Sequence, residues 1–295
     1  PRRAAVAALM KQEHNGYANL VLRHALDDFD GTARERAFFS AVFYGTVERM
    51  VTLDWLLQKF LKKPLARLDA PVRAILRSGL YQARYLQSVP VHAAVNEAVA
   101  LTRRMGKASA AGLVNAVLRR AAAVELSGER FSTETERLSI TYSVSPQIAQ
   151  LLLEKCPAQC EGILRASFAQ PPLCVRVNTL QTSLPALEAA FAAEGVSVRR
   201  GSVPNSLYVS YQGDIAAHPL FLGGAFHVQG EASQLACAAL GPKPGDTVLD
   251  LCAAPGGKSA GAAPAKQRRA DRLRCREKPA ASGAKAVGAA GCAVR

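Results

Sequence analysis

The sequence predicts a multidomain protein with three parts: an all-α helical domain, a small α+β module and the start of an α/β domain. Three observations support this prediction. At 295 residues, 49% of them hydrophobic and 20% charged, the chain can pack two or three globular domains. Apolar residues recur at spacings of three and four through the first 123 residues, as in helices that pack on one another. Short strand-like runs appear only after residue 172.

The first part is predicted to hold five or more helices between residues 4 and 123. Its clearest apolar stripe consists of Val114, Val117, Leu118 and Ala121. Helix ends are marked as well, since Asp69 before Pro71 is typical of a helix start and Gly106 after Arg103 and Arg104 of a helix end.

The second part begins after a polar connection at 127–130, which predicts a domain border near residue 127. Branched and aromatic runs bounded by turn residues indicate strands, and apolar periodicity indicates helices. The predicted helices are 146–156, 157–168 and 184–194, and the predicted strands are 173–177, 196–199 and 207–209.

The third part contains the most informative stretch of the chain, a predicted strand at 247–251 that runs into a glycine turn. It follows a short strand at 226–228, a helix at 231–240 and turn residues at 241–246. A strand, a turn and a helix start in this order open a doubly wound α/β domain. The small residues of the turn would let a nucleotide-type ligand approach the backbone, and Lys258 and Ser259 would begin the helix.

A phosphate-binding loop is the main alternative for this turn. Gly257, Lys258 and Ser259 reproduce the end of the Gly-x-x-x-x-Gly-Lys-Ser/Thr pattern, but its first glycine would fall at Cys252. Asp250 would also place a carboxylate near a triphosphate. A cationic or hydroxyl-bearing ligand suits this turn better, and a plain strand-to-helix turn remains the simplest alternative.

Residues 260–295 lack the apolar pattern of a folded segment. They contain nine Lys or Arg, two Asp or Glu and few large aliphatic residues, so they carry about half of the net charge of +14. We expect an aberrant, disordered tail that results from a frameshift or an assembly error, with no second strand, and a natural basic disordered tail is the alternative. Asp271 stands where an acidic residue would follow the second strand, and its context predicts coincidence rather than a strand.

The remaining composition favours a soluble cytoplasmic protein. No signal peptide and no apolar run of about twenty residues occur. The seven cysteines form no Cys-x-x-Cys pair, so no metal site is predicted. The modest basic excess outside the tail permits nucleic-acid binding without requiring it.

Several motifs together resemble those of the RNA 5-methylcytosine methyltransferases, in the bacterial small-subunit ribosomal RNA group that carries an N-terminal NusB-like domain. The run 250–259 resembles the first cofactor motif of this family. Residues 229–234, Gln-Gly-Glu-Ala-Ser-Gln, resemble the motif before its catalytic domain, and Arg176-Val177-Asn178 resembles its Arg-x-Asn element. The segments that resemble the NusB-like domain are 44–49, 53–55, 73–77, 94–99 and 112–120.

The resemblance implies an S-adenosylmethionine-dependent methylation of cytosine C5 in small-subunit ribosomal RNA, by a monomer with a Rossmann-like methyltransferase domain. It implies a cofactor loop formed by Cys252, Ala253, Ala254, Pro255, Gly256, Gly257 and Lys258. In the family a cysteine thiolate attacks the base. The Pro-Cys-Ser and Thr-Cys-Ser motifs of its two mechanistic cysteines are absent from this sequence, so we assign no catalytic residue and expect the chain to be catalytically incomplete.

The implied domains are an NusB-like RNA-binding domain at 1–126, the α+β module at 127–223, the start of the methyltransferase domain at 224–259 and the tail at 260–295. The alternative function is a non-enzymatic NusB-like RNA-binding or antitermination module.

Two groups of side chains are candidates for RNA contact. The basic residues Arg103, Arg104, Lys107, Arg119 and Arg120 would form either a phosphate-binding patch or a solvated helical face. The tyrosines at 44, 81 and 85 are predicted to lie in the core rather than to stack on bases.

Overall fold

The computed structural model describes residues 1–14, 16–169, 171–241, 248–250, 256–258 and 270–271. The chain divides into two compact units, Pro1–Ala169 and Gln170–Arg295, and each is described by itself. None of the helices in the described ranges has the length and apolar character that a membrane crossing needs.

The first unit is helical, as its periodicity predicts. Short 3-10 turns at Leu65–Arg67, Ala108–Ala110 and Leu126–Gly128 connect some of its helices. The helices are α1 Arg2–Glu13, α2 Ala18–Asp27, α3 Ala33–Glu48, α4 Met50–Gln58, α5 Ala70–Tyr85, α6 Val91–Arg104, α7 Ala111–Ala122, α8 Glu134–Thr141, α9 Pro146–Lys155 and α10 Cys160–Ala166.

Helix α5 lies at the centre of this unit and packs against α1, α3, α4, α6 and α7. The predicted stripe of α7 is confirmed, because Val114, Val117, Leu118 and Ala121 are each at most 2% exposed. Buried aromatic and aliphatic side chains fill the space between these helices, and burying each of them stabilises the fold by about 2 kcal/mol. This core holds the helical domain together.

The predicted helix ends are confirmed, with one difference in detail. Asp69 precedes α5 and Pro71 lies in the first turn, but the Asp69 side chain makes no capping bond and pairs with Lys107 Nζ at 2.6 Å. Gly106 ends α6 with a φ of +73°, and its N–H donates to the Arg103 carbonyl at 3.0 Å. A positive φ of this size suits glycine because it has no Cβ.

Helices α8 to α10 pack around a cluster of their own that includes Leu138, Ala149 and Leu164. The segment is tied to α4, which has no side-chain cap of its own. Ser143 Oγ accepts from the N–H groups of Val51 at 3.1 Å and Thr52 at 3.5 Å, and Thr52 Oγ1 donates to the Ile140 carbonyl at 2.5 Å. The compact unit therefore continues to residue 169, while the domain border near residue 127 stays a prediction.

The second unit contains the predicted α+β elements. Its strands and helices are β1 Leu173–Val177, α11 Leu184–Ala193, β2 Ser197–Arg200, β3 Ser206–Ser210, α12 Pro219–Leu222, β4 Phe226–Val228, α13 Glu231–Leu240, β5 Val248–Leu249 and β6 Ala270–Asp271.

Four of these strands form an antiparallel sheet in the order β2-β3-β1-β4. The central strand β1 places Val175 opposite Leu207 of β3 and opposite Val228 of β4. Helix α11 covers one face of the sheet. Its residues Leu187 and Phe191 belong to the same buried hydrophobic cluster as Val175, Leu207 and Phe226 of the strands. Strand β4 lies beyond the predicted border at residue 223 and is nonetheless an edge strand of this sheet.

The prediction of no second strand after residue 259 is wrong. Strand β6 pairs with β5 in parallel, with Val248 opposite Ala270 and Leu249 opposite Asp271. Asp271 therefore lies in a strand, contrary to the prediction from its neighbours. A two-residue parallel pairing depends on backbone hydrogen bonds, so it needs none of the apolar alternation that sequence reasoning looks for. The other residues of the predicted tail lie outside the described residues.

The cap that Ser143 places on α4 gives a first prediction. Replacing Ser143→Ala removes the acceptor for two helix N–H groups and should lower the free energy of unfolding by about 1 kcal/mol. Urea unfolding followed by circular dichroism measures this change. Ser127→Ala is the matched control, since Ser127 is exposed and should change stability by less than about 0.5 kcal/mol. Equal stability of the two variants would contradict the capping role.

Candidate cofactor-loop site

Three of the seven predicted loop residues are described by the structure: Gly256, Gly257 and Lys258. Cys252, Ala253, Ala254 and Pro255 lie outside the described residues. Gly256 has a φ of +106°, a backbone conformation that strains any residue with a Cβ. The positive φ of Gly256 therefore explains why this turn needs a glycine at that position.

The carbonyl oxygen of Gly257 is held by two side chains from the sheet region. Arg176 Nη1 donates to it at 3.0 Å, and Gln229 Nε2 donates to it at 3.1 Å. Arg176 Nη1 also donates to Gln229 Oε1 at 2.7 Å, so the two side chains bond to each other as well. We call Arg176 and Gln229 the carbonyl clamp.

The clamp joins three motifs that are far apart in sequence. Arg176 belongs to the Arg-x-Asn element on β1, Gln229 begins the 229–234 motif after β4, and Gly257 belongs to the loop. The sequence prediction includes the first two motifs but assigns no role to their residues. The feature that could have indicated a role is the presence of polar side chains in an otherwise apolar strand and just before a helix.

The backbone around Gln229 is fixed by further hydrogen bonds. Its N–H donates to the Cys174 carbonyl at 3.0 Å, and its carbonyl accepts from Gln234 Nε2 at 2.9 Å. Gln229 is 8% exposed and Gln234 is 3% exposed, so water competes little for these bonds. The Gln229 amide is thus presented to the loop from a rigid backbone.

Asn178, the other polar residue of the Arg-x-Asn element, has a different task. Its Nδ2 donates to the Gly224 carbonyl at 2.8 Å, and its Oδ1 accepts from the Leu180 N–H at 3.2 Å. These bonds shape the turns that follow β1 and precede β4. Asn178 supports the sheet edge, and its side-chain hydrogen bonds to described residues do not reach the glycine loop.

Glu231 ties the start of α13 to the β2–β3 hairpin. Its carboxylate accepts from Ser206 Oγ at 2.7 Å, Tyr208 Oη at 2.8 Å, Ser202 Oγ at 3.0 Å and the N–H groups of Ser202 and Val203. These donors, Ser206 first and then Tyr208, lower the pKa of Glu231 to about 2. A Cβ at Gly201 would lie 1.9 Å from Ser206 Oγ, so a glycine is needed there to leave room.

Arg176 brings a partly buried positive charge to the clamp. Burial lowers the pKa of Arg176. His227 of β4 lies opposite Arg176, and its pKa is lowered first by burial and then by the charge of Arg176. The thiol of Cys237 on α13 lies 3.3 Å from both the Lys258 and the Ser233 carbonyl oxygens, and its one S–H can donate to either. The Lys258 side chain is exposed. Two successive loop carbonyls, Gly257 and Lys258, therefore lie within hydrogen-bond distance of side chains outside the loop.

The basic patch predicted in the first unit is at the surface. Arg103, Arg104, Arg119 and Arg120 are exposed and form no ion pair with a described residue. Lys107 differs, because it pairs with Asp69.

A loop with more basic residues lies beside the end of α7. The Arg120 guanidinium lies 4.7 Å from the centre of the Phe60 ring, and Lys62 and Lys63 follow Phe60 and are exposed. This contact extends the basic surface beyond the residues that sequence reasoning named.

The tyrosine prediction is confirmed at two positions and wrong at the third. Tyr81 and Tyr85 are partly buried against the helical core and stack with ring centres 5.7 Å apart. Burial raises the pKa of Tyr81, whose ring occupies the space that a Cβ at Gly45 would need. Tyr44 is 45% exposed and touches Phe43 edge to face, because the surface face of α3 turns it outward.

Comparison with known families assigns both described parts of the chain. Residues 1–123 match the NusB family, and residues 148–216 match the Methyltr_RsmF/B-like, ferredoxin-like domain. The chain combines a NusB-family domain with an RsmF/B-like domain. The predicted fold class is thereby confirmed, since the NusB match covers the helical domain and the RsmF/B-like match includes most of the antiparallel sheet module.

Two ribosomal RNA methyltransferases are similar to most of this chain. The probable ribosomal RNA small subunit methyltransferase B of Bacillus subtilis (strain 168) is 34% identical over 272 residues, which cover 88% of this chain and 58% of that protein. The ribosomal RNA small subunit methyltransferase B of Pseudomonas putida is 36% identical over 262 residues, covering 88% and 59%. This chain is therefore homologous to these proteins over most of its length and spans less than two thirds of theirs.

A solved structure agrees at the level of the fold. The crystal structure of PH0851 superposes with a TM-score of 0.65 at 22% identity, and the match covers 89% of this chain and 60% of that one. This likeness supports the fold described above.

The Glu231 cluster gives a pH prediction. A carboxylate whose pKa is lower in the folded than in the unfolded protein stabilises the fold above its unfolded pKa, and this contribution is lost as the pH falls. For Glu231 the loss should run from the ordinary 4.5 down to about 2. The stability difference between the unaltered chain and Glu231→Gln should therefore be larger at pH 7 than at pH 2.5, measured by urea unfolding.

The control for this experiment is Glu125→Gln, because Glu125 is exposed and its side chain forms no hydrogen bond with another described residue. A difference for Glu231→Gln that does not change with pH would show that the cluster does not hold Glu231 as a carboxylate.

Proposed function

We propose that this chain carries the RNA-binding part and the beginning of the cofactor site of an S-adenosylmethionine-dependent methyltransferase. The reaction proposed for the complete protein is methylation of cytosine C5 in small-subunit ribosomal RNA, by a monomer in the cytoplasm. The observation that carries this proposal is the convergence of Arg176, Gln229 and Gly257, because it gives the three motifs one structural purpose. The names of the homologous proteins support the reaction class.

The described loop residues fit a ligand of this kind. Gly256 has a conformation that only glycine adopts without strain, and among the described residues the nearest atom to a Cβ at Gly257 would be Gln229 Nε2 at 3.8 Å. A ligand could therefore approach the backbone closely on this side. In the proposal Gly256, Gly257 and Lys258, together with Cys252, Ala253, Ala254 and Pro255, hold S-adenosylmethionine, which supplies the methyl group when bound.

Side chains of this chain contribute order and charge to the loop. The clamp keeps the Gly257 carbonyl engaged with Arg176 and Gln229, so this oxygen is not available for other contacts of the loop. The positive charge of Arg176 near the loop favours an anionic group on the ligand, such as a carboxylate. The chain's own part in the reaction is thus to bind and orient the methyl donor.

The RNA side of the proposal rests on the basic surface of the NusB-family domain. Arg103, Arg104, Arg119 and Arg120 lack carboxylate partners within the described residues and are free to neutralise phosphates. Contacts of this type position a nucleic acid without reading its sequence. Ribosomal RNA is the partner that the homologous proteins suggest.

The first test of the proposal is cofactor binding by the 295-residue chain. S-adenosylmethionine should bind measurably in isothermal titration calorimetry, and Gly256→Ala should weaken binding about tenfold or more, since the positive φ costs about 1–3 kcal/mol with a Cβ. Gly230→Ala is the control, because Gly230 has a φ of −67° and open space around its Cβ position. Absence of binding by the unaltered chain would favour the alternative of an RNA-binding module without enzymatic function.

A second test concerns methyl transfer. The sequence contains neither a Pro-Cys-Ser nor a Thr-Cys-Ser tripeptide, so the 295-residue chain should bind the methyl donor and RNA without forming 5-methylcytosine. Incubation with small-subunit RNA and methyl-labelled donor measures this directly. Label in the cytosine ring would show that the catalytic prediction is wrong.

RNA binding provides a third test. Replacing Arg119→Ala and Arg120→Ala together should weaken binding of small-subunit RNA and reduce the slope of log affinity against log salt by about 1.5 to 2. The control removes the same number of charges elsewhere, with Arg3→Ala and Arg23→Ala, both exposed. Equal slopes for the two double variants would show that the basic surface at the end of α7 has no special role.

A further inference from the structure

We propose that the carbonyl clamp, Arg176 and Gln229, sets the position of the glycine loop for the methyl donor, so that both are positioning residues. This inference rests on the proposed function, since it assigns the residues that prepare the same site. It is carried by the hydrogen bonds to the Gly257 carbonyl and by the way in which the two side chains are supported.

The first step of the argument is that one backbone oxygen receives two side-chain donors from separate elements. Arg176 comes from the central strand β1, and Gln229 from the segment between β4 and α13. A carbonyl held from two directions can shift only if both bonds lengthen. The loop is thus located relative to the sheet and not only by its own turn.

The second step is that the two side chains orient each other. Arg176 Nη1 donates to Gln229 Oε1 at 2.7 Å, which fixes which end of the Gln229 amide faces the guanidinium. The other end, Nε2, must then face the Gly257 carbonyl. A guanidinium has only donors, so this arrangement works with an amide at position 229 and fails with a carboxylate, which cannot donate.

The third step concerns burial and support. Gln229 is 8% exposed, and its backbone is bonded on one side to Cys174 and on the other to Gln234. Two residues further on, Glu231 anchors the start of α13 to the β2–β3 hairpin through Ser206 and Tyr208. Side chains held in this way keep a functional site in one geometry at little entropic cost when the ligand binds.

The discriminating variant is Gln229→Glu, which keeps the size and shape of the side chain. The carboxylate can still accept from Arg176, but it loses the donor to Gly257 and faces the carbonyl oxygen with a negative charge. We expect S-adenosylmethionine affinity to fall about tenfold or more, the effect of one lost buried hydrogen bond and the added repulsion. Gln212→Glu is the control, because Gln212 is exposed and the substitution adds the same negative charge in the same unit.

A double-mutant cycle tests whether the two residues act as one device. Arg176→Met and Gln229→Met should each weaken S-adenosylmethionine binding in calorimetry, and the double variant should lose less than the sum of the two. Additive losses would show that the residues act independently and would overturn the clamp.

Hydrogen exchange supplies a readout that does not depend on the ligand. Amides of the peptide that contains Gly256, Gly257 and Lys258 should exchange faster in Gln229→Glu than in the unaltered chain, while peptides from β1 and β3 should be unchanged. If the unaltered chain binds no S-adenosylmethionine, the proposed function fails and exchange alone decides whether the clamp orders the loop. If the unaltered chain binds it and Gln229→Glu binds it equally well, with equal exchange, the clamp proposal fails and the proposed function stands.

Discussion

The hydrogen bonds to the Gly257 carbonyl are the interaction on which the functional reading of this chain depends. A glycine turn after a strand is common in α/β proteins, and its spacing alone also permits a phosphate loop or a plain connection. What distinguishes this turn is that Arg176 and Gln229 reach it from an antiparallel sheet some distance away in sequence. In the proposed function the sheet module and the loop are therefore parts of one site.

The sheet module is shaped to deliver those two side chains. Strand β1 is central, with neighbours on both edges, so Arg176 has a fixed backbone. Glu231 then fixes the entry of α13 against the hairpin, and the low pKa of its carboxyl group reflects how completely its oxygens are bonded. A carboxylate that accepts from several donors of one hairpin favours one arrangement, because any alternative leaves those donors without this partner.

The helical domain serves the proposed function through its surface, while its core provides stability. Helix α5 organises the packing, and Ser143 and Thr52 bind the following helices to α4 across a long stretch of sequence. The exposed arginines at the ends of α6 and α7 lie outside that core, so their charge is available to a polyanion without a loss of packing.

Much of this architecture follows from the sequence, and the exceptions have physical causes. Periodicity gives the stripe of α7 and the strand at Leu173–Val177, because a buried face imposes a repeat on apolar residues. It does not give the role of Arg176 or Gln229, whose partners lie 81 and 28 residues away and are set by tertiary structure. Strand β6 cannot be predicted from the sequence, because its pairing depends on the backbone and leaves no side-chain pattern. Tyr44 is exposed because it lies on the outward face of α3.

The site residues show the same division. Glycine at position 256 is predictable, since a ligand turn needs backbone freedom and the φ of +106° agrees with it. The contact between Cys237 and the Lys258 carbonyl is not predictable, because a lone cysteine in an apolar helix is most simply a core residue. Sequence therefore indicates which turn matters, and the structure indicates what holds it.

The most direct measurement of the central claim is a crystal structure of the chain with S-adenosylmethionine. The account predicts that the ligand lies against Gly256 and Gly257 while the Gly257 carbonyl remains within hydrogen-bond distance of Arg176 and Gln229. A ligand bound elsewhere, or a Gly257 carbonyl turned away from both side chains in the complex, would contradict it.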